Sequence, residues 1–180
     1  MIVYHGSSSN FKKLRISKSL VKQDSTASNE GYGIYFSTNM AVACSYGEYL
    51  YKLEINDNYF KDFRNLSTCQ RYINDIRLYI KAGTGIDIGY YADLQSIAEY
   101  VQGGNVAIWD IGREIYLFLD SNENWYNLKE YKIERVYRML RGYARRNLKA
   151  YMFTYNIKDI GVIKDVSEDV VRIIGKTKRR

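Results

Sequence analysis

At 180 residues, 46% hydrophobic and 26% charged, the chain is long enough for one domain with a core, short for two, and too apolar to be disordered over most of its length. No apolar run approaches the roughly 20 residues of a membrane span, and the N-terminus lacks the charged-then-apolar order of a secretory signal, so the expectation is a cytoplasmic protein without membrane contact. Net charge is +7, from 27 basic and 20 acidic residues, a sign that suits polyanions or an acidic partner unless it serves only solubility.

In chain order, residues 1–5 read as a short apolar strand. Residues 17–31 turn polar and predict a mobile loop with nothing to bury. A second short strand is expected at 33–37. A helix follows over 39–46, with Met40, Ala43 and Cys44 on one face. Residues 49–55 alternate, with Tyr49, Tyr51, Leu53 and Ile55 on one side and Lys52 and Glu54 on the other, the pattern of a half-buried strand. The middle of the chain has the i, i+3, i+4 spacing of amphipathic helices. Its stripes are Tyr72/Ile73/Ile76/Tyr79/Ile80, Leu94/Ile97/Ala98/Val101, Ile111/Ile115/Phe118/Leu119 and Ile133/Val136/Tyr137/Leu140. Alternation returns at 151–156, with further strands at 160–163 and 170–174 and a frayed basic tail over 176–180. Strands at both ends around a helical middle predict an α+β fold whose sheet is closed by distant segments. One domain is expected over 1–180, with a helical insertion at about 60–147.

The chain has no proline, 19 tyrosines, two cysteines and a single histidine, His5. One His and two distant Cys, Cys44 and Cys69, offer no spacing for a zinc site or a disulfide framework, so no metal is expected. A Ser-His-Asp or Cys-His hydrolase would need His5 as its base, and no Gly-x-Ser-x-Gly nucleophile elbow is present.

The first fifty residues carry the chemistry. They contain Tyr4-His5-Gly6-Ser7, then Gly31-Tyr32-Gly33-Ile34-Tyr35-Phe36, then a short helix ending in Tyr46, eleven residues after Tyr35, and then the alternating strand. This order and spacing resembles the ADP-ribosyltransferase superfamily, in the branch of poly(ADP-ribose) polymerases and diphtheria-like toxins. The resemblance covers about a third of the chain and implies a split β-sheet and NAD as substrate. It gives His5 the NAD ribose, Gly6 the nicotinamide amide, and Tyr35 and Tyr46 the two faces of the nicotinamide ring, with Ser7 supporting the strand end. The residue types suit those tasks. A backbone without a side chain can approach an amide, an imidazole can bond a hydroxyl, and two phenol faces can hold a cationic ring. The bland alternative for the tyrosines is packing.

The superfamily's late Glu, which polarises the ribose hydroxyls, is replaced. The match to its strand places Tyr155 and Asn156 at the family's Tyr-Asp and Tyr151 at the Glu. Asp110 and Glu114, four apart on one helix face, are the candidates to supply an acid instead, against the alternative of a solvated helix edge. A basic cluster of Arg138, Arg141, Arg145, Arg146 and Lys149 could hold the NAD diphosphate or a phosphate backbone, or be the polar side of its helix. The expected function is an NAD-dependent mono-ADP-ribosyltransferase of toxin–antitoxin or phage-effector type. Its acceptor would be a protein or a nucleic acid, and an antitoxin or inhibitor protein is a further expected partner. The alternatives are an NAD glycohydrolase and a non-catalytic basic binding module on a degenerate transferase scaffold.

Overall fold

The alternating segment predicted at 49–55 forms the centre of one of two sheets in the computed structural model, which describes residues 1–16, 33–155 and 158–179. Strand β1 (Ile2–Ser7), β3 (Tyr49–Ile55) and β7 (Val171–Lys178) form a three-stranded sheet in the order β1-β3-β7. Strands β2 (Ile34–Phe36), β4 (Phe60–Asp62), β5 (Ala150–Tyr155) and β6 (Lys158–Ile163) form a four-stranded sheet in the order β2-β6-β5-β4. The β4–β5 pair is parallel, while β1–β3, β2–β6 and β3–β7 are antiparallel. The mixed α+β class therefore stands. Residues 17–31 and Tyr32, Asn156 and Ile157 lie outside the described residues, and so do the loop reading and the Asn156 match that fall on them.

The chain divides into two compact units. One comprises Met1–Asp62, Leu148–Phe153 and Lys158–Arg180, and the other comprises Phe63–Asn147 and Thr154–Ile157. In the sheet unit, period-2 patterning sends alternate residues into a shared core. Val3, Tyr51, Leu53, Ile55 and Val171 from the first sheet and Ile34, Phe36, Ala150, Met152 and Ile163 from the second belong to one buried cluster. The sheets meet at one isolated bridge, where Tyr4 N–H donates to Ser37 O at 2.8 Å and Ser37 N–H to Tyr4 O at 2.9 Å.

Helix α1 (Met40–Cys44) is capped by the Asn39 side chain, which accepts from the Ala41 N–H. It buries Ala43 but leaves Met40 52% exposed, because so short a helix presents little more than one residue to the strand beneath. The basic tail is not frayed through its length. It continues β7 to Lys178, opposite Tyr49, and the Arg179 N–H donates to Glu48 O at 2.7 Å. An unpaired edge would leave the β3 backbone without partners, and pairing satisfies it.

The helical unit contains α2 (Leu66–Thr84), α3 (Leu94–Gln102), α4 (Ile111–Asp120) and α5 (Glu130–Asn147). The sequence stripes face inward: Tyr72, Ile73, Ile76 and Ile80 of α2, Ile97, Ala98 and Val101 of α3, Ile111, Ile115 and Leu119 of α4, and Val136 and Leu140 of α5 are all buried. Helix α2 starts at the Asn65 cap and stops at Gly85, whose φ of 75° is a left-handed conformation that suits glycine. No helix among the described residues is long and apolar enough to cross a membrane.

Candidate functional site

The site is built where the two sheets part. Met1 and Ile55 exchange backbone bonds of 2.6 and 2.8 Å. Antiparallel pairing alternates, so the odd-numbered residues of β1 turn their backbone groups toward β3 and the even-numbered ones turn away from it. Tyr4 spends its outward groups on Ser37. Continued by two residues, that bridge would set Gly6 against Tyr35. There, His5 Nδ1 lies 2.7 Å from Tyr35 O, so the imidazole bonds a carbonyl on the side of β2 that faces β1. The N–H and C=O of Gly6 turn away from β3, on the side where Tyr4 meets Ser37, as one donor and one acceptor. A primary amide offers the complementary pair.

A carbonyl only accepts, so His5 Nδ1 carries the proton. Burial pushes the imidazole below its usual range, opposed by the bond to Tyr35 O. The ring is neutral at pH 7, and Nε2 presents a lone pair that can accept from a hydroxyl. The rings of Phe11 and Tyr51 flank His5 with centroids 6.0 and 6.1 Å away, and they stack on each other at 3.9 Å and 4°. The Tyr51 hydroxyl accepts the Phe11 N–H at 2.8 Å and donates to Ser9 O at 3.0 Å. A fully buried tyrosine on β3 thus fixes the chain that leaves the His-Gly-Ser strand.

Gly6 also has a packing role. A Cβ there would lie 1.9 Å from Ala43 O and 3.1 Å from the Tyr46 Cβ. Only glycine lets the end of α1 lie on the strand, and that contact brings Tyr46 to the same corner. The following Gly47 has φ 156°, and a Cβ on it would lie 2.1 Å from the Ser7 carbonyl carbon. The Ser7 hydroxyl accepts the Ser9 N–H at 3.1 Å, so Ser7 shapes the turn. Tyr46 is 65% exposed and contributes little to a core. Tyr35 is half-buried on the face of β2 opposite the buried Ile34 and Phe36. A groove of about 820 Å³ beside this turn is lined by Cys44, Ser45, Gly47, Glu48, Lys178 and Arg179. The Arg179 guanidinium donates to Cys44 O at its edge.

His5, Gly6, Ser7, Tyr35 and Tyr46 are therefore brought together in the sheet unit. Tyr151 lies in that unit too, but on the interior of β5, with no exposed surface and its ring 6.1 Å from that of Phe153. Asp110 and Glu114 belong to the helical unit. Asp110 lies 3.6 Å from Arg113. Glu114 is pushed above the usual carboxylate range, first by burial and then by the charge of Asp110. Among the described residues, no group of His, Cys, Asp and Glu is arranged to hold a metal ion. Sequence reasoning missed three contributors: Phe11, Gly47 and the hydroxyl of Tyr51. Gly47, directly after the stacking candidate, was a readable signal for a tight turn.

No protein-family model matches the chain, and no curated protein is significantly similar to it. Among solved structures it is similar to one described as the crystal structure of an anti-CRISPR protein. The identity is 16% and the TM-score 0.39, over 97% of this chain and 95% of that one.

Proposed function

We propose that this chain is an NAD-dependent mono-ADP-ribosyltransferase with the split-sheet arrangement of that superfamily, acting in the cytoplasm as a toxin or phage effector. One observation carries the reading. An oriented, neutral His5 and the outward-facing donor–acceptor pair of Gly6 adjoin at the point where the sheets part. In this reading Gly6 binds the carboxamide of nicotinamide, and His5 Nε2 accepts from a ribose hydroxyl. Tyr35 and Tyr46 hold the pyridinium ring by stacking and cation–π attraction, while Lys178 and Arg179 supply positive charge for the diphosphate.

In the reaction, the bond from ribose C1′ to the nicotinamide nitrogen breaks. Its electron pair leaves with nicotinamide, which departs neutral. The oxocarbenium-like carbon then takes an electron pair from the acceptor, whose proton passes to water. The site orients the ribose and the leaving ring, so its contribution is largely positional. Asp110 and Glu114 lie in the helical unit, and the reading assigns no carboxylate to this corner. At the family's Glu position stands Tyr151, and a phenol is a poor base at neutral pH. Transfer therefore stops after one unit.

Mass spectrometry of the acceptors labelled when the protein is incubated with NAD and a cell lysate tests this reading. The expected product carries a single ADP-ribose. A ladder of repeated units would overturn the mono-transfer assignment, and ADP-ribose released only into solution would make the protein a hydrolase.

A further inference from the structure

Helix α5 carries six basic and two acidic residues in a chain of net charge +7. Its buried side is Val136 and Leu140. At 3.6 residues per turn, Tyr131, Arg135, Arg138 and Arg141 share an arc of about 120° on the opposite side, spread over roughly 15 Å of helix axis. All four are exposed, Tyr131 by 61%. Arg146 is different: it donates to the Tyr79 hydroxyl at 2.8 Å and lies over that ring. Arg135, Arg138 and Arg141 have no carboxylate within ion-pairing distance among the described residues. Glu134 is the one acid on their arc, and it pairs with none of them.

We infer that this face of α5 docks single-stranded nucleic acid, with the three guanidinium groups on successive phosphates and the Tyr131 ring stacked on a base. The inference goes beyond the NAD reading and does not rest on it. Several features favour a nucleic acid over an acidic protein. The cations are arginines, whose planar fork matches phosphate oxygens two at a time. The arc holds no aliphatic side chain, so a protein docking there would find no apolar centre to bury. The exposed aromatic favours a single strand, because a stacking platform needs a base face that a duplex hides.

Fluorescence anisotropy tests it, with labelled 20-nucleotide single strands of DNA and RNA and a duplex of the same sequence, at 50 and 200 mM NaCl. Single-strand affinity should fall about twentyfold between the two salts, as expected for three neutralised phosphates. The Arg135→Gln, Arg138→Gln, Arg141→Gln triple variant should bind weakly and lose most of that salt dependence, with its thermal melt unchanged because the three side chains are exposed. Tyr131→Ala should weaken single-strand binding by about tenfold while keeping the salt slope, and leave the duplex unaffected. Wild-type protein that binds no single strand at 50 mM salt overturns the inference without any variant. So does a triple variant that binds as tightly as wild type with the same slope. A preference for duplex, with Tyr131→Ala silent, overturns the single-strand assignment.

Discussion

Two polar constellations, one in each unit, differ in where their partners come from. In the helical unit, Asp87 is 6% exposed and fully provided for. Arg77 donates to both carboxylate oxygens at 2.5 and 2.7 Å, Lys81 donates at 3.1 Å, and the Gly89 N–H caps the remaining site at 3.1 Å. The Arg77 hydrogen bonds above all hold its carboxyl far below the usual range, against the opposing effect of burial. Nothing is left over for a ligand, and the cluster ties the end of α2 to the following turn. In the sheet unit, His5 is oriented by one internal bond, and the outward-facing N–H and C=O of Gly6 and the 65% exposed ring of Tyr46 lie beside it. A polar group whose partners are all internal serves the fold. A rigidly held group that lacks some of its partners is prepared for something that arrives.

The comparison breaks most sharply at its two centres. His5→Ala should lower NAD turnover by on the order of a hundredfold with a nearly unchanged melting temperature. Turnover like that of wild type would return His5 to a packing role. The pH dependence has a definite sign. Because the folded imidazole sits below its ordinary value, the unfolded chain binds the extra proton first. Stability should therefore fall as pH drops below about 6.5 and level off beneath the folded value. Subtracting the His5→Ala melt profile from that of wild type isolates this slope, and turnover should fall over the same acidic window as Nε2 loses its lone pair.

Asp87→Asn should show the opposite pattern: a loss of about 2–3 kcal/mol in stability, read by denaturant unfolding, with NAD turnover per folded molecule unchanged. The contribution of Asp87 is present above its unfolded value near 4 and is lost as pH falls toward its depressed folded value. The variant should be the less acid-sensitive protein by comparison. A turnover defect in Asp87→Asn would place this cluster in the functional machinery.

The smaller effects sharpen the sheet-unit corner. Tyr46→Ala removes an exposed ring, so the melt should hold while the NAD dissociation constant rises roughly tenfold. Unchanged binding by calorimetry would remove Tyr46 from the site. Tyr51→Phe keeps the stacked ring and deletes the hydroxyl that serves Ser9 and Phe11. It should cost about 1 kcal/mol and raise the KM for NAD a few-fold with kcat nearly constant. A kcat effect without a KM effect would mean that Tyr51 does not act through the loop it pins.

Much of this was legible in the sequence, for physical reasons. The helix stripes were readable because burial repeats with the helical period, and 49–55 was readable because a half-buried strand alternates. The His-Gly corner was picked out only by its order and spacing with Gly33-Ile34-Tyr35-Phe36 and Tyr46 in the resemblance, since His-Gly alone is a weak signal. The rest depends on contacts distant in the chain. Tyr51 alternates like any core residue, and its hydroxyl finds partners 40 and 42 residues earlier. The three residues of β4 are too few to show a period, and they pair with Ala150–Met152 from the far end of the chain. The basic tail looked unfit for a strand because its charges carry no periodic signal. Its pairing is decided by the open edge of β3. The parting of the sheets at His5 is a matter of backbone parity, and no side-chain pattern encodes it.

The most direct test of the difference between the two constellations is nicotinamide release from NAD, measured side by side for wild type, His5→Ala, Tyr46→Ala and Asp87→Asn at a temperature where all four are folded. The account predicts release by wild type and by Asp87→Asn at equal rates, a reduced rate for Tyr46→Ala at low NAD, and almost none for His5→Ala. No release by wild type, or equal release by all four, would contradict it.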